Sequence, residues 1–333
     1  MLNYKVRKLE YLNTKMTQQD PRFFCYKEEY FGGTEYMARY FHKNVAPYVP
    51  QLKNYNCLIL PGQTDKPYFE MMYEPKEIII WLHNLVDQFG FQLYHMFTDK
   101  RFIDKIKYII TVSEYHKQDV INKTGIDPEK VLVIYNAINP IENNLLRFEN
   151  VKVPELIYPS SPGRGLEIGL TALSKLDIDF RLNIFNEIVP DLIKIDNNNR
   201  KILEDPRFFF YGKTPHKTVL DHMSRSHIFM HTSNWHETFC ISLAESLSAN
   251  CLSVYSTFGS LGEIGSGFGI PYDIENEKDT AKHVEIFLEK IVNAIDTIKN
   301  NKFDPGNQAE IINNKFSWEV FTNSWIDFYE KRI

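Results

Sequence analysis

The stretch that decides the fold is HTSNWHETFCISLAESLSANCLSVYSTFGSLGEIG, which spans residues 231–265. Seven residues separate Glu237 from Glu245, and the apolar residues in this region recur at helical spacing. The pattern predicts a helix that begins just after Glu237, then a short buried strand over residues 251–255 and a glycine turn at Gly259. This order of loop, helix, strand and turn indicates a layered α/β domain.

Glu237 is predicted to lie in a loop at the N-terminus of that helix, with Glu245 two turns along it. The backbone N–H groups of the first turn, those of Thr238, Phe239 and Cys240, would then point outward beside the Glu237 carboxylate. Unpaired N–H groups and the helix dipole both favour anions and hydroxyl-rich ligands. The sequence therefore predicts a ligand site around Glu237.

Length and charge restrict the class of protein. A chain of 333 residues is expected to form two domains, each large enough to bury its own core. The formal net charge of −5 arises from both signs mixed along the chain. It gives no electrostatic argument for nucleic acid or for a membrane surface as a partner.

The sequence also bears on the compartment. No apolar run approaches the ~20 residues needed to cross a bilayer, and the start, MLNYKVRKLEYLN, lacks the apolar core of a secretory signal. The 4 cysteines have no paired metal-ligand spacing and are expected to be small buried side chains in a reducing compartment. We therefore expect a cytoplasmic protein without a transmembrane segment, and peripheral membrane contact is left open.

Short apolar runs alternate with amphipathic segments throughout the chain, which predicts α/β layers with mostly parallel sheets. The predicted strands are residues 23–26, 57–60, 78–83, 108–112 and 131–135, then 156–159, 181–185, 207–211, 228–231 and 251–255. The predicted helices are residues 35–43, 93–105 and 115–124, then 166–176, 217–224, 241–248 and 280–299.

A polar stretch without periodicity over residues 139–153 is predicted to link two domains. Residues 1–140 would form an N-terminal Rossmann-like domain and residues 151–316 a C-terminal one. The tail, FSWEVFTNSWIDFYEKRI, has a capping serine at Ser317 and apolar residues at helical spacing, so residues 317–333 are predicted to form a closing helix.

The quoted block resembles the E-x7-E signature of retaining glycosyltransferases with the GT-B fold, in particular glycosyltransferase family 4. The elements that carry the resemblance are ETFC, ISLAESLSAN, CLSVYS and GSLGEI. The resemblance implies two facing Rossmann-like domains with parallel sheets and a cleft between them. The resemblance also implies that the N-terminal domain binds the acceptor, that the C-terminal domain binds a nucleotide-diphosphate sugar, and that the closing helix completes the N-terminal domain.

Transfer from such a donor leaves charge on the departing diphosphate, so fixed cations or N–H donors are required there. The segment SSPGRGLE, residues 160–167, resembles the family's basic loop. That loop has two basic residues in the family, one at the end of the strand and one directly before Gly-Leu, and Arg164 occupies the second of these positions. The first is occupied by Ser160 or Ser161, which carry no charge, and we expect Ser161 to contact the diphosphate through its hydroxyl or N–H group.

Three further positions match the family in outline. Gly32 and Gly33 resemble a Gly-Gly-x-Glu turn whose backbone approaches a phosphate. Lys213, after the strand at 207–211, is a candidate second cation for the nucleotide. His83 ends the run EIIIWLH and is expected to lie at the edge of the cleft, where it would hydrogen-bond the sugar or the acceptor.

The resemblance also assigns roles within the quoted block. Glu237 would bind the transferred sugar, and Glu245 would accept hydrogen bonds from the ribose hydroxyls. The N–H groups of Thr238, Phe239 and Cys240 would hold sugar hydroxyls or phosphate. His236 would line the sugar pocket, and a cysteine at position 240, where glycine is usual, would alter the choice of donor.

No metal site is expected. The D-x-D string at residues 177–179 has the form used by metal-dependent transferases, but it lies between a helix and a strand, away from the other motifs, and is predicted to be a solvated turn. The histidines between residues 216 and 236 lack the spacing of zinc ligands, and His231 is expected to belong to the core.

These observations predict a metal-independent retaining glycosyltransferase without a resident cofactor. It would move a sugar from a UDP- or GDP-sugar to a hydroxyl of a glycan, lipid or other acceptor, with Glu237, Arg164 and His83 as catalytic residues. The alternative is a non-catalytic sugar-nucleotide-binding GT-B protein. An epimerase remains open, whereas chain length disfavours a phosphorylase and the missing glycine fingerprint disfavours an NAD enzyme.

Overall fold

The computed structural model describes residues 33–45, 48, 56–60, 77–87, 97–142, 144–186, 203–274 and 278–333. The chain divides into two units, one formed by Met1–Ala137 with Trp318–Ile333 and the other by Ile138–Ser317. The strand predicted at 23–26 and the glycine at Gly32 lie outside the described residues.

The described part of the first unit contains a parallel sheet with the strand order β1-β2-β3-β4. Every residue of β2 is buried, which is expected of a parallel strand whose two faces are both covered. The elements in chain order are α1 (Gly33–Asn44), β1 (Asn56–Leu60), β2 (Ile78–Leu82), α2 (Lys100–Ile103), β3 (Ile106–Thr111), α3 (Glu114–Thr124) and β4 (Val131–Val133).

The second unit is built on a larger parallel sheet with the strand order β10-β9-β8-β5-β6-β7. Its apolar core lies between this sheet and the helices, with α4 and α8 packed together over one face. The elements are β5 (Glu155–Tyr158), α4 (Leu166–Ser174), β6 (Arg181–Phe185), β7 (Phe208–Gly212), α5 (His216–Met223), β8 (Ile228–His231), α6 (Ile241–Ser248), β9 (Leu252–Ser256), α7 (Leu261–Gly265), β10 (Ile270–Tyr272), α8 (Thr280–Lys299) and α9 (Gln308–Lys315).

The tail forms α10 (Trp318–Arg332), which belongs to the first unit. Its aromatic residues recur at helical spacing and therefore pack on one face. The Trp325 ring lies 5.1 Å from Trp81 of β2 and 4.6 Å from Phe41 of α1, measured between ring centroids. Trp318 stacks on Tyr40 of α1 at 3.5 Å. These contacts join the end of the chain to its N-terminal sheet.

The α/β class with parallel sheets is confirmed. Each predicted strand that the structure describes begins and ends within two residues of its predicted limits. The helix predicted over 93–105 is interrupted in its described part, because Phe97 and Thr98 are helical, Asp99 is not, and a separate short helix runs over Lys100–Ile103. Asp99 precedes it in extended backbone, and its side chain accepts a hydrogen bond from the Arg101 N–H group. The sequence analysis also missed α7, β10 and α9, which are short or lack strong periodicity.

Candidate active site

The strand order of the second unit creates a switch point between β5 and β8. After β5 the chain continues to β6 on one side, whereas after β8 it continues to β9 on the other side. Open parallel sheets bind ligands beyond the carboxyl ends of their strands at such a point. Arg164 follows β5 and Glu237 follows β8, so both side chains lie at this edge.

Arg164 and Glu237 form an ion pair at the switch point. The Arg164 Nε atom lies 3.1 Å from Glu237 Oε1, and the two side chains are 27% and 13% exposed. The Arg164 guanidinium also lies over the Trp235 ring, 4.5 Å from its centroid. An arginine stacked on an aromatic ring loses freedom of orientation. The site therefore holds one oriented cation beside one carboxylate.

Two glycines bring the surrounding loops into close backbone contact. Gly165 has a φ of +83°, and a Cβ atom there would lie 1.9 Å from the Thr232 carbonyl oxygen. Gly259 has a φ of +71°, and a Cβ atom there would lie 2.6 Å from the backbone nitrogen of Glu237 and 2.7 Å from its backbone carbonyl oxygen. Only glycine adopts this backbone region readily and leaves this space. These glycines consequently determine where the loop of Glu237 lies.

Beneath the ion pair lies a buried imidazole, His231, which ends β8 and is 1% exposed. Its Nε2 atom lies 3.8 Å from Glu237 Oε1 and 3.7 Å from Cys240 Sγ. Its Nδ1 atom lies 3.2 Å from the Ser160 hydroxyl. Burial favours the neutral ring, but the Cys240 sulfur and the Glu237 carboxylate outweigh it and raise the pKa of His231 to about 10.

His231 is therefore core, as predicted, and its raised pKa favours the protonated ring. It contacts the hydroxyl of Ser160, one of the two serines that could occupy the first basic position of the family's loop.

Glu245 is paired with a residue that the sequence analysis assigned no role. The His216 Nε2 atom lies 2.8 Å from Glu245 Oε1, with the carboxylate side chain 5% and the imidazole 43% exposed. This hydrogen bond raises the pKa of His216, although partial burial opposes the charged form. His216 is the first residue of α5 and follows the loop after β7.

The start of α6 corrects the predicted geometry around Glu237. The helix begins at Ile241 with Cys240 as its N-cap, four residues after Glu237. The N–H groups of Thr238, Phe239 and Cys240 therefore precede the helix rather than form its first turn. The physical reason is that the Glu237 backbone is engaged elsewhere, in a bridge with Gly259 and a 2.9 Å hydrogen bond from Ser260 N–H.

The side chains of this loop differ in exposure. Phe239 is buried against Phe316, and Cys240 is buried beside His231. Thr238 is half-buried, and His236 is exposed with its ring 4.3 Å from that of Phe258.

The remaining predicted residues of this unit, Ser161 and Lys213, follow β5 and β7 at the same edge of the sheet. Ser161 is exposed, and its carbonyl oxygen accepts hydrogen bonds from the Tyr158 hydroxyl and the Arg164 N–H group. Ser160 rather than Ser161 reaches the buried imidazole. Lys213 is exposed and follows β7, two strands away from β5. From that loop it is His216 that contacts the predicted ligand-binding carboxylate.

Gly33 and His83 belong to the first unit. Gly33 is exposed and is the first residue of α1, so the helix begins earlier than predicted. His83 follows β2 directly, but it is buried rather than open at an edge, with its ring 4.6 Å from Trp81. Burial, and secondarily the nearby His116, lower the pKa of His83 to about 3. His83 is therefore neutral at physiological pH.

Sequence reasoning missed three contacts around the site, those of His231, His216 and Trp235. Each residue stands within a few positions of the carboxyl end of a strand. That location was a usable signal, because parallel strands bring such positions to one edge. What the sequence could not show is which of the side chains at that edge meet.

The described residues offer neither a metal site nor a membrane-spanning helix. No group of three or more His, Cys, Asp and Glu side chains there has the arrangement of a metal site. Asp177 and Asp179 are exposed in the connection before β6, as predicted. Within the same residues, no helix has both the length and the hydropathy required to span a membrane.

Two family models match the chain. One, described as Glycosyltransferase Family 4, matches residues 73–142. The other, described as Glycosyl transferases group 1, matches residues 172–303 and so includes both predicted glutamates. Together the two matches cover more than half of the chain.

Two curated relatives are phosphatidylinositol N-acetylglucosaminyltransferase subunits A. The Arabidopsis thaliana protein is 23% identical over 235 residues, which are 64% of this chain and 47% of the relative. The Homo sapiens protein is 25% identical over 175 residues, which are 47% of this chain and 33% of the relative. The chain thus spans less than half the length of these relatives.

Solved structures show the same fold. Sucrose-phosphate synthase from Thermosynechococcus elongatus has a TM-score of 0.67 at 12% identity, covering 88% of this chain and 79% of the other. A glycosyltransferase from Rickettsia africae has a TM-score of 0.64 at 16% identity, covering 98% and 87%. HepE from Anabaena, solved with UDP and glucose, has a TM-score of 0.61 at 15% identity, covering 87% and 82%.

The family matches and the shared fold bear out the predicted resemblance to glycosyltransferase family 4. The chain is a family 4-like glycosyltransferase with the GT-B fold.

Proposed function

We propose that this glycosyltransferase moves a sugar from a UDP- or GDP-sugar to a hydroxyl of a glycan, lipid or other acceptor, with retention of anomeric configuration and without a metal ion. The observation that carries the proposal is the Arg164–Glu237 ion pair at the switch point of the second unit. A cation for a diphosphate and a carboxylate for sugar hydroxyls stand together where this fold class binds its ligand.

In the proposed reaction the bond between the anomeric carbon and the β-phosphate oxygen breaks, and the acceptor oxygen bonds to the same face of that carbon. The acceptor proton passes to the departing phosphate oxygen, so the nucleoside diphosphate leaves with it. Negative charge develops on the diphosphate during this step. Preorganised positive groups aimed at that charge lower the barrier, each by ~3–4 kcal/mol.

Arg164 is the group we assign to the diphosphate, because its guanidinium is oriented by Trp235 and remains partly exposed. The buried His231 ring lies beneath the Arg164–Glu237 pair, with its Nε2 atom 3.8 Å from Glu237 Oε1, where its protonated form would hold the carboxylate in place. When the donor binds, its phosphate competes for Arg164, and Glu237 becomes available to the sugar hydroxyls. Glu245 is assigned to the ribose.

The names of the relatives suggest which substrates to test first. Both are phosphatidylinositol N-acetylglucosaminyltransferase subunits, so N-acetylglucosamine is the first sugar and phosphatidylinositol the first acceptor. UDP-N-acetylglucosamine should be compared with UDP-glucose and GDP-mannose. Thermal stabilisation by the matching nucleotide diphosphate would identify the base.

The test is the transfer activity of Glu237→Ala and Arg164→Met. Both variants should stay folded and lose at least about a hundredfold in turnover. Glu285→Ala removes an exposed carboxylate of the same unit and is the matched control, with unchanged turnover. Product analysis by NMR should show retained anomeric configuration, and EDTA should not reduce the rate. Full turnover in Glu237→Ala would refute the assignment.

The second candidate is a non-catalytic sugar-nucleotide-binding protein. The observation that favours it is that the first basic position holds an uncharged serine, Ser160 or Ser161, and that the Ser160 hydroxyl is engaged by His231 and Ser242. This candidate predicts calorimetric binding of a nucleotide without transfer or donor hydrolysis. Any donor turnover that Glu237→Ala abolishes would exclude it.

We also propose a cytoplasmic location, supported by the cysteine content and the mixed charge of the chain. Fractionation of cells that express the full chain tests it. If phosphatidylinositol is the acceptor, part of the protein should sediment with vesicles that contain this lipid.

A further inference from the structure

The His216–Glu245 pair joins two elements that are far apart in the sequence. Glu245 lies on α6 and is 3% exposed. His216 begins α5, and its Nε2 atom approaches Glu245 Oε1 to 2.8 Å. Both residues belong to the second unit, and α5 starts from the loop after β7, at the carboxyl edge of the sheet.

A buried carboxylate is costly unless partners satisfy its oxygens. Over the part of the chain that the structure describes, the one side-chain partner of the Glu245 carboxylate is His216, and this contact is made to Oε1. The second oxygen retains its capacity to accept a hydrogen bond. If Glu245 served only for packing, an apolar side chain at this position would make the protein more stable. A buried carboxylate with one oxygen held in place therefore indicates a binding role.

We infer that His216 is a positioning and specificity-determining residue for the donor nucleotide. It holds Oε1 of Glu245, so that Oε2 accepts hydrogen bonds from ribose hydroxyls of a nucleoside diphosphate. The inference deepens the proposed function and rests on it, because it assumes that Glu245 binds the ribose.

Selectivity for ribose follows from the second Glu245 oxygen, which has no side-chain partner among the described residues. A deoxyribose lacks one hydroxyl donor and leaves the buried carboxylate oxygen without its partner, which disfavours binding. His216 maintains that selectivity because a carboxylate free to rotate could turn the unsatisfied oxygen toward water. The two residues should therefore act as one unit.

The experiment measures calorimetric Kd values for UDP, 2′-deoxy-UDP and 3′-deoxy-UDP, with the matching guanosine series in parallel. The variants are His216→Ala, His216→Gln, Glu245→Gln and the double variant His216→Ala with Glu245→Gln. His216→Gln keeps an N–H donor near the Nε2 position. Lys217→Ala is the matched control, since Lys217 is the neighbouring residue and pairs with Asp221 on the surface.

The wild-type protein should bind the ribonucleotide about 10–100-fold more tightly than at least one deoxy analogue. His216→Ala should reduce that ratio toward one and raise the donor KM with kcat nearly unchanged. His216→Gln should restore most of the ratio, and Lys217→Ala should not change it. In the double variant the loss of ribonucleotide affinity should equal that of Glu245→Gln alone, because both substitutions act on one contact.

Two results overturn the inference in distinguishable ways. If the wild type binds the nucleotides but His216→Ala keeps both the Kd and the ratio, the role of His216 is refuted while the proposed function stands. If the folded wild type binds none of the nucleotides in either series, the donor site itself is refuted and the inference with it.

Discussion

Replacing Gly259 with alanine should displace the loop that carries Glu237. Gly259 has a φ of +71°, and an added Cβ atom would lie 2.6 Å from the Glu237 nitrogen and 2.7 Å from its oxygen. Both neighbours are backbone atoms, so rotation of a side chain cannot relieve the overlap. Glu237 must therefore move away from its bridge with Gly259 and from the Ser260 N–H group.

The magnitude has two parts. Holding an alanine in the left-handed region costs about 1–2 kcal/mol, and forcing an extra methyl group into a packed site costs about 1–3 kcal/mol more. Gly267 separates the two, because its φ is +86° and nothing lies within 4 Å of an added Cβ atom. Gly267→Ala should show only the first cost. Both glycines belong to the second unit, so their effects are compared within one unfolding transition.

The assay combines urea unfolding, calorimetric binding of the preferred nucleoside diphosphate and donor turnover. Gly259→Ala should lose turnover by at least about a hundredfold, as expected when a reacting group is displaced by about 1 Å. Gly267→Ala should lose stability but keep turnover. Equal turnover in the two variants would refute the reasoning, since it would mean that Glu237 does not depend on the Gly259 contact.

Three further predictions concern single side chains. Trp235→Leu should weaken binding of the nucleotide about 2–30-fold through loss of the stacked Arg164, whereas Trp235→Phe should keep most of the affinity, as measured by calorimetry. The Glu245 contact raises the pKa of His216 above the ordinary 6.5. The wild type should therefore be more stable than His216→Gln below about pH 6.5, and this advantage should decline as the pH rises through the pKa of His216 in the folded protein. Urea unfolding at several pH values checks it. Burial lowers the pKa of His83 from 6.5 to about 3, so the contribution of neutral His83 to the free energy of unfolding should be full above pH 6.5 and fall as the pH drops toward 3. His83→Gln should flatten that part of the curve of stability against pH. A His83 ring signal in NMR that titrates near pH 6.5 in the folded protein would contradict this.

Local patterns in the sequence were sufficient for most of the fold. The helices Ile241–Ser248 and Thr280–Lys299 match their predicted limits because apolar spacing and end signals depend on neighbours in the chain. The parallel class of the sheets followed from the alternation of buried runs and amphipathic segments. The helix predicted over 93–105 failed where the Asp99 cap outweighed the apolar pattern.

The candidate site was predictable only as a set of residue types. The block ETFCISLAESLSAN contained both glutamates, and the basic loop contained Arg164. Their chemistry and their positions after strands are local properties. The sequence by itself therefore determined which groups reach the carboxyl edge of the sheet.

Only the tertiary structure decided how those groups pair. Arg164 meets Glu237 because β5 and β8 are adjacent although two strands lie between them in the chain, and His216 meets Glu245 because α5 and α6 approach at the same edge. Likewise, the pKa of His231 is raised because its ring lies close to Cys240 and Glu237. Such pairings and pKa shifts depend on distances through space between remote segments, which no local pattern encodes.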